Sequence, residues 1–76
     1  MQRYKNFNGN SGVSAYEIGD DFIKIEFNKN STYVYNYQTA GRENIEKMKL
    51  LAQSGKGLST FISRHVKDRF VHSAAV

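Results

Sequence analysis

The chain has 76 residues and a formal charge of +4, from 11 Lys+Arg against 7 Asp+Glu. That length is about half of what one domain commonly takes, which excludes a two-domain enzyme, a TIM barrel and a complete dinucleotide-binding fold. It has no cysteine, which excludes a disulfide framework, a thiolate nucleophile and a zinc knuckle, and leads us to expect a cytoplasmic protein.

Residues 1–12 are polar, rich in Asn and Gly, and read as a flexible lead-in that Tyr4 or Phe7 could pin. They hold no apolar run of signal-peptide length. Nowhere do about 18 apolar residues follow one another, so a soluble protein with no membrane partner is expected. Val13 to Ile18 alternates weakly, as a strand does. Gly19-Asp20-Asp21 is a turn signal. Phe22 to Phe27 alternates clearly, with Ile23, Ile25 and Phe27 on one side and Lys24 and Glu26 on the other. Asn28 to Ser31 is a second turn, and Thr32 to Tyr37 is a third strand rich in strand-favouring side chains.

After Thr39 the period changes. Ile45, Met48 and Ala52, widened by Leu51, form one helix face. Thr39 or Gly41 is placed to cap its start and Gly55 to end it. Gly57 opens a second helix with an apolar stripe of Leu58, Phe61, Ile62, His65 and Val66, fraying near Phe70. Residues 71–76 form an unassigned tail. The expected fold is α+β: a three-stranded antiparallel meander covered on one face by two C-terminal helices (βββαα), with residues 13–70 as a single domain. A small, partly open barrel plugged by helices is the alternative.

Charge is unevenly distributed. Residues 1–38 carry four bases and four acids, whereas residues 39–76 carry seven bases (Arg42, Lys47, Lys49, Lys56, Arg64, Lys67 and Arg69) and three acids. A basic helical surface attracts phosphate through charge neutralisation and counterion release. A solvated, solubilising helix surface would show the same excess. Alternation places Tyr33, Tyr35 and Tyr37 on one face. If open, that face could stack bases; if turned to the helices, it is core, as the need for aromatic volume favours.

Other motifs argue against chemistry. Ser54-Gly55-Lys56-Gly57 follows a helix rather than a strand and lacks the GxxxxGK[ST] order, so it is not a nucleotide-hydrolysing loop, although anion contact there remains open. His65 and His72 stand two helical turns, about 10 Å, apart, which is long for one metal. Ser59 or Ser63 with His65 lacks a third member. The chain is therefore expected to be non-catalytic, with no cofactor and no metal.

The order of pieces resembles the KTSC domain family, small domains named from the C-terminus of some lysyl-tRNA synthetases. The likeness rests on Tyr33-Val34-Tyr35 preceded by the Ile23 to Phe27 strand. It continues through Leu50 to Gly57, with its Ala52-Gln53-Ser54, and then Phe61-Ile62 and Val66. The sequence departs from that pattern in having no proline after the Y-x-Y strand and in Ser63, where such domains often carry Asn. The resemblance implies an accessory domain of unknown function with RNA as a supposed ligand. RNA binding would use the seven helical cations for phosphate and Tyr33, Tyr35 and Tyr37 for stacking. The alternative is a protein-interaction module that docks a protein partner on the uncovered sheet face near Phe22, Lys24, Glu26 and Val34, or on a free sheet edge.

Overall fold

The computed structural model describes residues 1–7, 9 and 12–75, with the backbone alone for 72–75. An antiparallel sheet runs β1 (Gln2–Arg3), β2 (Val13–Ile18), β3 (Phe22–Phe27), β4 (Ser31–Asn36) and β5 (His72–Ala75), in sequence order across the sheet. Between β4 and β5 lie α1 (Tyr37–Ala40), α2 (Arg42–Ser54), α3 (Leu58–Phe61) and a π-helical turn (Ile62–Val66) that continues α3. The class is α+β. The three expected strands form its centre, and the lead-in and tail each add an edge strand.

The central strands obey their alternation. Ile23 and Ile25 are fully buried and pair across the ladder with Tyr35 and Tyr33 on β4 and with Ile18 and Tyr16 on β2. The same inward face receives Ile45, Met48 and Ala52 of α2, then Leu58, Ile62 and Val66. These three α2 residues recur at i, i+3 and i+7, so they share the stripe that a helix turns toward its sheet. On β2 a bulge between Val13 and Ala15 shifts the register by one residue. It lets Val13 and Tyr16 both face inward although they stand three positions apart. The Ser14 hydroxyl at this bulge donates to the Glu26 carbonyl and accepts from the Lys29 N–H.

Several expectations are corrected. The third strand ends at Asn36, so Tyr37 is not on the tyrosine face. Asn36 accepts from the Thr39 N–H (2.9 Å) and the Thr39 hydroxyl accepts from the Asn36 N–H (3.2 Å), a reciprocal capping box that starts α1 one residue early. Asn36 thus caps α1 with Thr39 as the third helical residue of the box, and Gly41, not Thr39, stands before α2. The second expected helix is short. Its last turn widens so that the Lys67 N–H reaches the Ile62 carbonyl, five residues back. Val66 then follows Ile62 into the core, while His65 is exposed and stacks on Phe61 with ring centroids 4.5 Å apart. The tail turns back onto the sheet, where the Val71 N–H donates to the Val34 carbonyl.

The lead-in is tied down at Tyr4, which is 3% exposed. Its phenol oxygen accepts from the Leu58 N–H, an otherwise unpartnered donor of the first turn of α3. Phe7 also donates its N–H to the Gly55 carbonyl at 2.8 Å. Asn8, Asn10 and Ser11 of the lead-in, Val76 of the tail and the His72 side chain lie outside the described residues. The pairing of His65 with His72 lies outside them too.

Gly55 ends α2 at φ 81°, and a Cβ there would come within 2.8 Å of the Lys5 Cβ and 3.0 Å of the Phe7 ring. Both the turn and the crossing of the lead-in require glycine at this position. Among the described residues no helix is long and apolar enough to cross a membrane.

Candidate nucleic-acid interface

The predicted cations divide into two groups. At the start of α2, Arg42 lies 5.8 Å from the Tyr37 ring centroid and Lys49 lies 5.7 Å from it. The Lys49 ammonium also donates to Glu46 (2.8 Å) and to the Asp20 carbonyl (2.9 Å). The Tyr37 hydroxyl donates to Glu46 at 2.6 Å and to the Asp20 carbonyl at 3.2 Å. These hydrogen bonds hold the Glu46 carboxyl below its ordinary pKa, chiefly through Lys49 and then Tyr37. They push the Tyr37 phenol up, chiefly through its bond to Glu46. This cluster latches the β2–β3 turn to the helices, and in it the Lys49 charge is spent on Glu46 while Arg42 lies over the Tyr37 ring.

The second group is unspent. Lys47, Lys56, Arg64, Lys67 and Arg69 are exposed and make no ion pair with any described residue. Arg64, Lys67 and Arg69 belong to one short segment, the π-helical turn and the loop that leaves it. All three are exposed, and Lys67 stands at the end of the sheet marked by the β3–β4 turn.

That end of the sheet carries an aromatic groove. Its volume is about 460 Å³, within the roughly 300–1,000 Å³ range of small-ligand sites. Phe27, Tyr33 and Phe70 form its apolar wall. Tyr33 meets Phe27 edge-on at 5.5 Å and Phe70 at 4.9 Å, and Phe70 meets Tyr35 at 6.2 Å. Asn28 and Asn30 line it from the β3–β4 turn, and Lys67 and Asp68 from beyond the π turn. That turn holds Asn28 and Lys29 at φ 52° and 63°, the positive values a tight mirror-image turn needs, and so sets the two amides at the rim.

The three tyrosines meet different fates. Tyr35 is 2% exposed and is core. Burial pushes its phenol up to about 12, helped by the neighbouring Tyr33 and the Asp68 carboxylate. Tyr33 is half-buried in the groove, and Tyr37 sits at the opposite end of β4 in the latch. The structure therefore breaks the expected three-ring stacking face: it leaves Tyr33 as the accessible ring and adds Phe27 and Phe70. Neither Phe was singled out as a site residue in the sequence, and nor were Asn28, Asn30 and Asp68. For Phe27 the only signal was its place at the end of the inward face of β3, beside a turn rich in Asn.

The uncovered sheet face is less available than its alternation suggested. Lys24 lies 4.0 Å from Glu17 and 5.9 Å from the Phe22 ring centroid, and Val34 is only partly exposed. A larger cleft of about 800 Å³ runs between the chain start and β2, lined by Gln2, Lys5, Tyr16 and Gln53 among others, with a single aromatic ring. Among the described residues no three His, Asp or Glu side chains come together as a metal site. No protein-family model, curated protein or solved structure matches this chain.

Proposed function

We propose that this protein is a small, non-catalytic RNA-binding module that takes single-stranded RNA along its helical half. The observation that carries the reading is the segregation of its cations. Lys49 is neutralised by Glu46 inside the Tyr37 latch and Arg42 lies over the Tyr37 ring, while five others remain exposed without an ion partner among the described residues, three of them within residues 64–69. Exposed, unpaired Lys and Arg on one half of a small domain release counterions from a phosphate backbone, and binding then falls steeply with salt. The likeness to KTSC domains implies the same ligand by association and adds no site argument.

The test is a backbone-amide NMR titration of the chain with single-stranded and hairpin RNA over a salt series. The reading expects shifts at low salt that are centred on Lys56, Arg64 and Lys67 and weaken as salt rises. An absence of shifts at low salt overturns it. A protein partner retained after nuclease treatment, with shifts on Phe22, Lys24 and Val34 instead, would favour docking on the open sheet face.

A further inference from the structure

We infer that the groove between the β3–β4 turn and the π-helical turn is a pocket for one unpaired guanine nucleotide, its base against Tyr33 and Phe70, its N–H edge on Asp68 and its phosphate toward Lys67.

Four features of the groove converge on that ligand. Its wall is aromatic and its volume of about 460 Å³ suits a planar ring with a sugar attached. Unpaired bases are recognised by aromatic contact combined with hydrogen bonds to the Watson–Crick edge. Asp68, an exposed carboxylate, lines the groove with Lys67 next to it in sequence. A carboxylate only accepts hydrogen bonds. Guanine is the RNA base that offers two adjacent N–H donors, at N1 and N2, to its two oxygens. The Asn28 and Asn30 amides at the rim supply donors for O6 and N7. The Asp68 carboxylate also contributes to raising the Tyr35 phenol, after burial and Tyr33, which agrees with its facing the groove.

The same aromatic wall beside an acid could suit a methylated ammonium group. The surrounding charge argues against it. Lys67 lines the groove itself, so the one carboxylate there is matched by a cation, and Arg64 and Arg69 stand close to it in sequence. A cation therefore finds no net negative charge there, whereas a nucleotide, anionic at one end and N–H-donating at the other, matches both signs.

This inference rests on the RNA reading for its ligand class, yet the two can fail separately. The experiment titrates the full chain with guanosine, adenosine and uridine 5′-monophosphates, with choline, and with oligouridine carrying or lacking one guanine. The expected result is shifts at Asn30, Tyr33, Ser63 and Asp68 on adding the guanine nucleotide. The other two nucleotides should bind about tenfold or more weakly, as loss of a bidentate base contact implies. Asp68→Asn should remove that preference while retaining the nucleotide shifts, and Lys67→Gln should weaken all three nucleotides alike. Equal affinity for the three nucleotides, or tighter binding of choline, overturns the proposal. If oligouridine binds through Lys47 and Lys56 while guanine in either form leaves the groove unshifted, the pocket falls and the RNA reading stands. If the guanine nucleotide occupies the groove and no oligonucleotide binds at low salt, the pocket stands and the RNA reading falls.

Discussion

The two ends of β4 hold the same kinds of side chain arranged to opposite effect. Beyond its C-terminal end, Tyr37, Glu46 and Lys49 bond to one another, Tyr37 and Lys49 also bond to the Asp20 carbonyl, and Arg42 lies over the Tyr37 ring. Toward its N-terminal end, Tyr33, Phe27 and Phe70 line an open groove whose cation and acid, Lys67 and Asp68, form no ion pair with a described residue. The first arrangement is a latch between the β2–β3 turn and the helices. The second has unspent polar groups around apolar rings, the condition for taking a ligand. A basic residue in this chain thus carries no meaning by type; whether its charge is already answered decides its part.

The largest effect separates core from groove within β4. Tyr35→Ala is expected to destabilise the protein by about 3–5 kcal/mol, the usual loss for a buried aromatic. Tyr33→Ala, at a half-buried position, should cost visibly less. Urea midpoints of the two variants check the ordering, and equal losses would mean that the groove is core too. Next comes the crossing of the lead-in over α2. Gly55→Ala places a Cβ at φ 81° and against Lys5 and Phe7. It should lower stability by about 1–3 kcal/mol, read as a drop in melting temperature, with the amides of Lys5 and Phe7 losing exchange protection.

The cation groups provide the third contrast. Neutralising Arg64, Lys67 and Arg69 together as Gln should flatten the salt dependence of single-stranded RNA binding by about 2 in log–log slope, from about 0.7 per phosphate contact. Neutralising Lys49, whose charge Glu46 already answers, should leave that slope nearly unchanged and instead loosen the β2–β3 turn. A slope that responds as strongly, per charge removed, to Lys49 as to the other three would erase the distinction between latch and groove.

The central strands, α2 and its glycine ends were legible because each obeys one rule of period or punctuation over several residues: Ile23 and Ile25 alternate, Ile45, Met48 and Ala52 recur helically, and Gly55 stops the helix. What escaped was decided by few residues or by distant ones. Asn36 and Thr39 moved the end of β4 by a single capping box, and Tyr37 left the tyrosine face with it. The π turn added one backbone position, and of the expected stripe it left Val66 in the core and turned His65 out. The edge strands escaped because Gln2–Arg3 and His72–Ala75 have little pattern of their own and exist through partners on β2 and β4. The groove was hidden for the same reason: its aromatics come from positions 27, 33 and 70, and only the return of the chain after the π turn unites them.

The smallest expected effect lies in the pH dependence of the latch. Glu46 is held below its ordinary pKa in the folded chain, so folding binds its ionised form more strongly. Its contribution is therefore present above the unfolded carboxylate pKa and is lost as pH falls through the lower folded value. Tyr37 is held above its ordinary value, so its contribution is present below the unfolded phenol pKa and is lost as pH rises through the higher folded one. Glu46→Gln should accordingly flatten the acid limb of a urea-midpoint profile, and Tyr37→Phe should flatten part of the alkaline limb. Tyr35, pushed to about 12 from 10, keeps an alkaline limb of its own in the Tyr37→Phe protein, with stability declining between those two values. Glu46 is exposed and Tyr37 only partly buried, so solvent screens the latch and each change should be small beside the loss from Tyr35→Ala. If Glu46→Gln left the acid limb as steep as before, the carboxylate that matters would lie elsewhere, and the internal neutralisation that distinguishes the two ends of β4 would lose its chief support.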